Sequence, residues 1–186
     1  MDIEIINTIH RRLKYIWEEK IKEDYINGWL LKEDTLKNAL YHHLRNELSS
    51  IFAENNIRIF TEFTDYKFKG SKMRPDMVIA TVDFDKDEHT GYYGDDVKEC
   101  IAVIEIKFKN AYSSDTIYDD YEKLENYITN LNINAHMYMA TIWEEFDDPT
   151  TWIRKNAAWA KGRVTELNAS YIKNTDCEPQ FYVFEH

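Results

Sequence analysis

Three charged residues stand at or inside two apolar stretches, where a core strand would carry Val or Ile. Asp76 precedes the stretch 77–80, and Glu105 and Lys107 interrupt the stretch 101–109. Alternate side chains of a strand point to the same face, so Glu105 and Lys107 would share a face about 7 Å apart. If the two strands pair antiparallel, the start of the first meets the end of the second, and Asp76 would lie beside Glu105.

Two neighbouring carboxylates need a compensating positive charge. At 4 Å they repel by about 1 kcal/mol in water and about 4 kcal/mol at an effective dielectric constant of 20. A proton, the ammonium group of Lys107 or a divalent cation would offset that repulsion. Carboxylate oxygens suit Mg²⁺ and Mn²⁺. Such an ion would polarise a phosphate and generate hydroxide, while Lys107 would orient water or stabilise charge on the phosphate.

The periodicity of apolar residues predicts the elements that position these side chains. Strands are predicted at residues 57–63, 77–84, 100–109, 135–143 and 180–185. Helices are predicted at residues 3–22, 33–53, from 114 or 115 to about 131, and from 148 to about 170. The last of these would begin at Asp148 and Pro149, which are favourable residues for an N-cap and a first helical turn.

The order of these elements predicts an α/β fold with a central mixed β-sheet flanked by helices. Three successive strands favour hairpins, and the later alternation of helix and strand favours crossovers. A length of 186 residues fits one domain, residues 1–186, with a sizeable core. We therefore expect one domain rather than two.

The pattern around the three charged residues resembles the PD-(D/E)xK phosphodiesterase superfamily, which has the restriction-endonuclease-like fold. Asp76 follows a proline, and Glu105 and Lys107 form a Glu-x-Lys motif in an apolar strand. The family core runs α-β-β-β-α-β, and the predicted elements of residues 33–143 follow that order. The resemblance implies that core with an added N-terminal helix and a C-terminal αβ extension. Twenty-eight residues, 77–104, separate the two acids, a longer gap than is usual in the family, which suggests an extended hairpin.

A glutamate on the helix before the sheet strengthens the resemblance. Glu33 with Leu36 and Leu40 is similar to the family's Glu-x-x-Leu-x-x-x-Leu setting. By this resemblance Asp76 and Glu105 would bind Mg²⁺ or Mn²⁺. Lys107 would assist the nucleophile, and Glu33 would supply a further carboxylate. Members cleave DNA or sometimes RNA, often as dimers, so the resemblance implies a nuclease acting on DNA and allows a homodimer.

The charge distribution bears on the partner. The formal net charge is −11, which disfavours steering toward nucleic acid. Residues 64–75 are nevertheless locally basic, and residues 83–96 are acidic. The basic side chains would contact a nucleic acid backbone by counterion release, or belong to a solvated loop. Candidates for that contact are Lys67, Lys69, Lys72 and Arg74, together with Lys123, which is similar to an Asp-x-x-Lys-Leu pattern of relatives.

A second interpretation stays open at this stage. The acidic charge and the acidic segment 83–96 also fit a catalytically inactive module that binds a protein or a nucleic acid. Two cysteines complete neither a disulfide framework nor a zinc site, and the N-terminus lacks the order of a signal peptide. No apolar run is long enough to span a bilayer. We therefore expect a cytoplasmic protein with reduced thiols and no membrane association.

Overall fold

A mixed β-sheet with helices on both faces forms the centre of the protein. The computed structural model describes residues 2–69, 73–83, 96–109, 117–144, 151–154, 156–171 and 178–186. Within them the sheet has six strands, and their spatial order follows their order in the sequence. The strands are β1 (Ile57–Thr61), β2 (Met77–Val82), β3 (Val97–Lys109), β4 (His136–Glu144), β5 (Val164–Tyr171) and β6 (Gln180–Glu185). The predicted α/β class with a mixed sheet is confirmed.

The helices begin and end near the predicted positions, with two additional breaks. The N-terminal helix α1 (Ile3–Tyr15) continues through a π-helical turn (Ile16–Ile21) into α2 (Lys22–Ile26). The second predicted helix is divided at Leu48 into two helices. These are α3 (Glu33–Glu47) and α4 (Ser49–Glu54), and α5 (Tyr118–Thr129) follows β3.

The strand directions place the ends of β2 and β3 together. Strands β1, β2 and β3 form an antiparallel meander. Strand β4 pairs parallel with β3 after a crossover that contains α5, and β5 pairs parallel with β4. Strand β6 returns antiparallel to β5. A β-bulge between β2 and β3 leaves Ile101 unpaired. Ile101 therefore packs in the layer opposite Val103, although strict alternation predicts one face for both.

Two apolar layers hold the helices on the sheet. One layer joins the helices α1, α3 and α4 to one sheet face, with Trp17, Leu40 and Tyr138 fully buried. The other joins α5 to the opposite face through Leu124 and Tyr127. In the part of the chain that the structure describes, no helix is long and apolar enough to cross a membrane.

The predicted helix over residues 148–170 is wrong, and with it the helical part of the C-terminal αβ extension. Turns occupy much of the stretch 156–163, and β5 begins at Val164. Gly162 has a φ of 68°, which ends any helical path there. Val164 and Leu167 are both buried, but they lie in opposite layers, as strand residues three apart do. The start of that prediction, residues 148–150, lies outside the described residues.

Candidate functional site

Asp76 and Glu105 meet where β2 begins and β3 nears its end. Met77 pairs with Ile104 in the antiparallel register, which sets Asp76 opposite Glu105. The Asp76 carboxylate also accepts a hydrogen bond of 2.9 Å from the N–H of Ile106. The antiparallel pairing on which the sequence argument depended is thus observed. The connecting segment 84–95, where the acidic excursion lies, is outside the described residues.

Glu105 is a fully buried carboxylate. Its Oε1 accepts a hydrogen bond of 2.7 Å from the hydroxyl of Tyr127, and its Oε2 lies 3.3 Å from Nζ of Lys123. Burial raises the pKa of Glu105 well above its ordinary value, and the charge of Asp76 raises it further. Lys123 and Tyr127 oppose that shift without cancelling it. The charged form of Glu105 therefore lacks sufficient positive compensation.

Asp76 shows the same imbalance. Burial raises its pKa, although the hydrogen bond from Ile106 and the charge of Lys37 lower it. Nζ of Lys37 lies 3.7 Å from the second oxygen of Asp76, which is longer than a hydrogen bond. Lys37 also donates to Glu62, which pairs with Arg74 at 2.6 Å.

Lys107 lies between two further carboxylates. Its Nζ is 3.7 Å from Oε2 of Glu33 and 3.6 Å from Oδ2 of Asp120. Burial raises the pKa of Glu33, and Lys107 only partly offsets the effect. Asp120 also accepts from Lys123 at 2.6 Å. We call the set Glu33, Lys37, Asp76, Glu105, Lys107, Asp120, Lys123 and Tyr127 the carboxylate–lysine cluster.

Two helices begin at this cluster. Glu33 is the first residue of α3, and Asp120 is the third residue of α5. Helix N-termini carry a partial positive charge and unpaired N–H groups, so they favour anionic groups nearby. The helix ends therefore support the carboxylates and would equally favour an anionic ligand.

The residues that the sequence proposed for chemistry, Glu33, Asp76, Glu105 and Lys107, lie together. Lys37, Asp120 and Tyr127 also belong to the cluster and were not predicted from the sequence. Lys37 is four residues after Glu33 and so lies on the same side of α3, a spacing that the sequence does show. Asp120 and Tyr127 flank Lys123 on α5 at spacings of three and four. Their role depends on how α5 docks on β3, which sequence spacing does not reveal.

The residues proposed for nucleic acid contact are distributed more widely. Lys123 belongs to the cluster, and Arg74 pairs with Glu62 beside it. Lys67 instead donates to the backbone carbonyl of Asn132, beyond the far end of α5. That helix has 12 residues, so its two ends are about 18 Å apart. Lys69 is exposed directly after a 3₁₀ turn, and Lys72 lies outside the described residues. Nucleic acid contact by these two lysines stays a prediction.

The carboxylate oxygens of the cluster are candidate ligands for a divalent cation. Within the described ranges, no three Asp, Glu, His or Cys side chains form a ready group for a metal ion. Asp76 and Glu105 nevertheless supply hard oxygen donors from two paired strands, and burial raises the pKa of both carboxyl groups. Mg²⁺ commonly uses one or two carboxylates and fills its octahedron with water. The residues present therefore fit an ion held by these two carboxylates and completed by water.

The sequence and the structure were also compared with known proteins. No protein-family model, no curated protein and no solved structure matches this chain.

Proposed function

We propose that this protein is a metal-dependent nuclease that hydrolyses phosphodiester bonds of DNA. The observation that carries the proposal is the meeting of Asp76, Glu105 and Lys107 at the ends of two paired strands. Both carboxylates have raised pKa values, so a cation between them would relieve an existing cost. Carboxyl groups with perturbed pKa values that lie side by side are concentrated at functional sites.

The fold supports the same proposal. Elements α3, α4, β1, β2, β3, α5 and β4 succeed one another in this order, with an antiparallel meander and a parallel fourth strand. We propose that these elements form a restriction-endonuclease-like core, in which α3 and α4 together take the place of the first helix, with α1, α2, β5 and β6 added. The order agrees with the resemblance carried by Asp76, Glu105 and Lys107.

Four residues of the cluster have distinct parts in the proposed reaction, and Asp120 positions two of its lysines. Asp76 and Glu105 would hold Mg²⁺ or Mn²⁺, which when bound lowers the pKa of water and polarises a phosphate oxygen. The ammonium group of Lys107, which lies between two carboxylates, would donate to the attacking water or to a phosphate oxygen. Glu33 has a raised pKa, which brings its carboxylate closer to the range suited to accepting a proton from water. Asp120 holds Lys107 and Lys123 in place.

A cleavage assay tests the proposal. Supercoiled plasmid and single-stranded DNA are incubated with Mg²⁺ or Mn²⁺, with EDTA, and with the variants Lys107→Ala and Lys109→Ala. We expect cleavage that requires the metal and falls by about 10²–10³ in Lys107→Ala, as for removal of a group that stabilises developing charge. Lys109 shares the strand and its face but packs on the Trp143 ring, so Lys109→Ala should stay active. Activity that survives both EDTA and Lys107→Ala would refute the mechanism.

A second candidate function is a catalytically inactive binding module. The observation that favours it is that ammonium groups of Lys37, Lys107 and Lys123 already lie 2.6–3.7 Å from carboxylates of the cluster. Internal cations in these positions would allow the fold to persist without a metal. This alternative predicts no cleavage under any metal and a partner interface that depends on the acidic segment. Deleting residues 83–96 without loss of the partner would argue against it.

A further inference from the structure

The loop of residues 27–32 joins α2 to α3, whose first residue, Glu33, belongs to the carboxylate–lysine cluster. On the N-terminal side of the loop, the ring of Tyr25 lies 6.3 Å from the ring of Phe108. On its C-terminal side, Glu33 lies 3.7 Å from Lys107. The residues that flank the loop thus lie against consecutive residues of one strand, and Trp29 and Leu31 precede the cluster residue Glu33 by four and two positions.

Two large apolar side chains project from this loop into solvent. Trp29 and Leu31 are each 73% exposed, whereas Leu30 between them is buried. The backbone is held in place by hydrogen bonds. The N–H of Trp29 donates to the carbonyl of Asp24 at 3.0 Å, and the N–H of Leu31 donates to Oγ1 of Thr35 at 2.9 Å. The two exposed side chains are therefore presented by a bonded loop.

The exposure of Trp29 has no counterpart among the other tryptophans. Of the five in the chain, Trp17 is fully buried, and the three at positions 143, 152 and 159 are partly buried. An indole left in solvent forgoes one of the largest apolar contributions to stability. An exposed apolar surface next to a candidate site is typical of ligand contact.

We propose that Trp29 and Leu31 form a stacking platform for an unpaired base of the nucleic acid that enters the cluster. The inference rests on the proposed nuclease function and specifies its substrate as single-stranded, frayed or flapped. An indole stacks on a free base face, and within a duplex both faces of each base are covered by neighbouring bases. Stacking on aromatic side chains is also the usual means of holding unpaired strands.

The charge of the protein gives stacking a large share of the affinity. With a net charge of −11, phosphate contacts supply little favourable energy. A protein with six to ten phosphate contacts on a single strand shows a log–log salt slope of about −4 to −7. We expect a slope shallower than about −2 here, because the base contact does not release counterions.

Binding of a fluorescein-labelled 15-nucleotide oligodeoxythymidine, measured by anisotropy without Mg²⁺ or Mn²⁺, tests the platform. Trp29→Ala should weaken binding by about 5- to 150-fold, the range equivalent to one stacked base. Trp29→Phe should retain most of the affinity. Ile3→Ala is the matched control, since Ile3 is also exposed, at 63%, but lies at the start of α1. Binding should also reduce acrylamide quenching of tryptophan in the wild type and leave it unchanged in Trp29→Phe.

The outcomes separate this inference from the proposed function. Equal affinity of Trp29→Ala and wild type for the single strand would overturn the platform, even if the protein cleaves DNA. A dimer that Trp29→Ala dissociates, with no effect on oligonucleotide binding, would also overturn it, because a second copy would then cover the loop. Binding that depends on Trp29 in a protein that cleaves nothing would support the platform and refute the nuclease.

Discussion

The hydrogen bond from Tyr127 to Glu105 favours the charged form of a fully buried carboxylate. Replacing Tyr127 by Phe removes one hydroxyl and keeps the ring, which packs edge-on against Phe68 at a centroid distance of 5.1 Å. Oε1 of Glu105 then loses a donor at 2.7 Å. The pKa of Glu105 should rise further, because this bond is one of the contacts that lower it.

The expected cost follows from the burial of both partners. Tyr127 and Glu105 are each 0% exposed, so no bulk solvent replaces the lost donor. A hydrogen bond to a charged group contributes about 1.5–3 kcal/mol, and one between neutral groups about 0.5–1.5 kcal/mol. The change raises the folded pKa and leaves the unfolded pKa unaltered. The free energy of unfolding of Tyr127→Phe should therefore fall over a wider pH range, and further in total, than that of wild type as pH rises.

Urea unfolding at pH 5 and pH 9 compares the free energy lost with this hydrogen bond at low and at high pH. Tyr127→Phe should lose about 2 kcal/mol at pH 9 and less at pH 5. In a double-mutant cycle with Glu105→Gln, the two single changes should not add. Tyr118→Phe is the control on the same helix, because Tyr118 is 60% exposed and its change should stay within about 0.5 kcal/mol. The same cost at both pH values, together with additivity in the cycle, would refute the role assigned to this bond.

Two further predictions concern buried polar groups outside the cluster. Burial lowers the pKa values of His10 and His136 to about 4, so the unfolded state binds more protons between pH 6.5 and 4. The free energy of unfolding should then fall on acidification by at most about 1.4 kcal/mol per pH unit for each imidazole, less solvent screening. Denaturant unfolding at several pH values should show this slope in wild type and in the control variant His42→Gln. The double variant His10→Gln/His136→Gln should lose the slope. An unchanged slope in the double variant would contradict the prediction. Glu166 is fully buried and accepts from five donors, so Glu166→Gln should cost about 3–5 kcal/mol, and a loss below about 1 kcal/mol would contradict the hub role.

Elements with a clear period could be predicted from the sequence. The leucines of α3 recur every four residues, and three of them, Leu36, Leu40 and Leu44, are fully buried. The sequence placed Asp76 beside Glu105 on the condition that the two strands pair antiparallel, because the start of one such strand then lies at the end of the other. That reasoning needed no knowledge of the long connection between the two strands.

The sequence was misleading where burial on both faces hides the strand period. Strand β5 lies between two other strands, and Thr165, Glu166 and Asn168 are buried among its apolar residues. These polar residues interrupt the apolar run, so Val164 and Leu167 appeared to be helical neighbours. A different limit applies to Lys37 and Asp120. Their ion pairs with Asp76 and Lys107 depend on how α3 and α5 dock on the sheet, which local spacing in the sequence does not reveal. Glu166 is held by donors from α5, from the segment 151–154 and from His186, which no short-range pattern relates.

Calorimetric titration with Mn²⁺ is the most direct test of whether Asp76 and Glu105 form one metal site. Wild type should bind, and Asp76→Asn and Glu105→Gln should each abolish binding. Binding should weaken on acidification at a pH above the ordinary carboxylate range, because burial raises both pKa values and protons compete with the ion. Glu125→Gln, the same change at an exposed glutamate of α5 outside the cluster, should bind as wild type does. Binding that persists in both cluster variants, or no binding by wild type at pH 8 with or without an oligonucleotide, would contradict the proposed site.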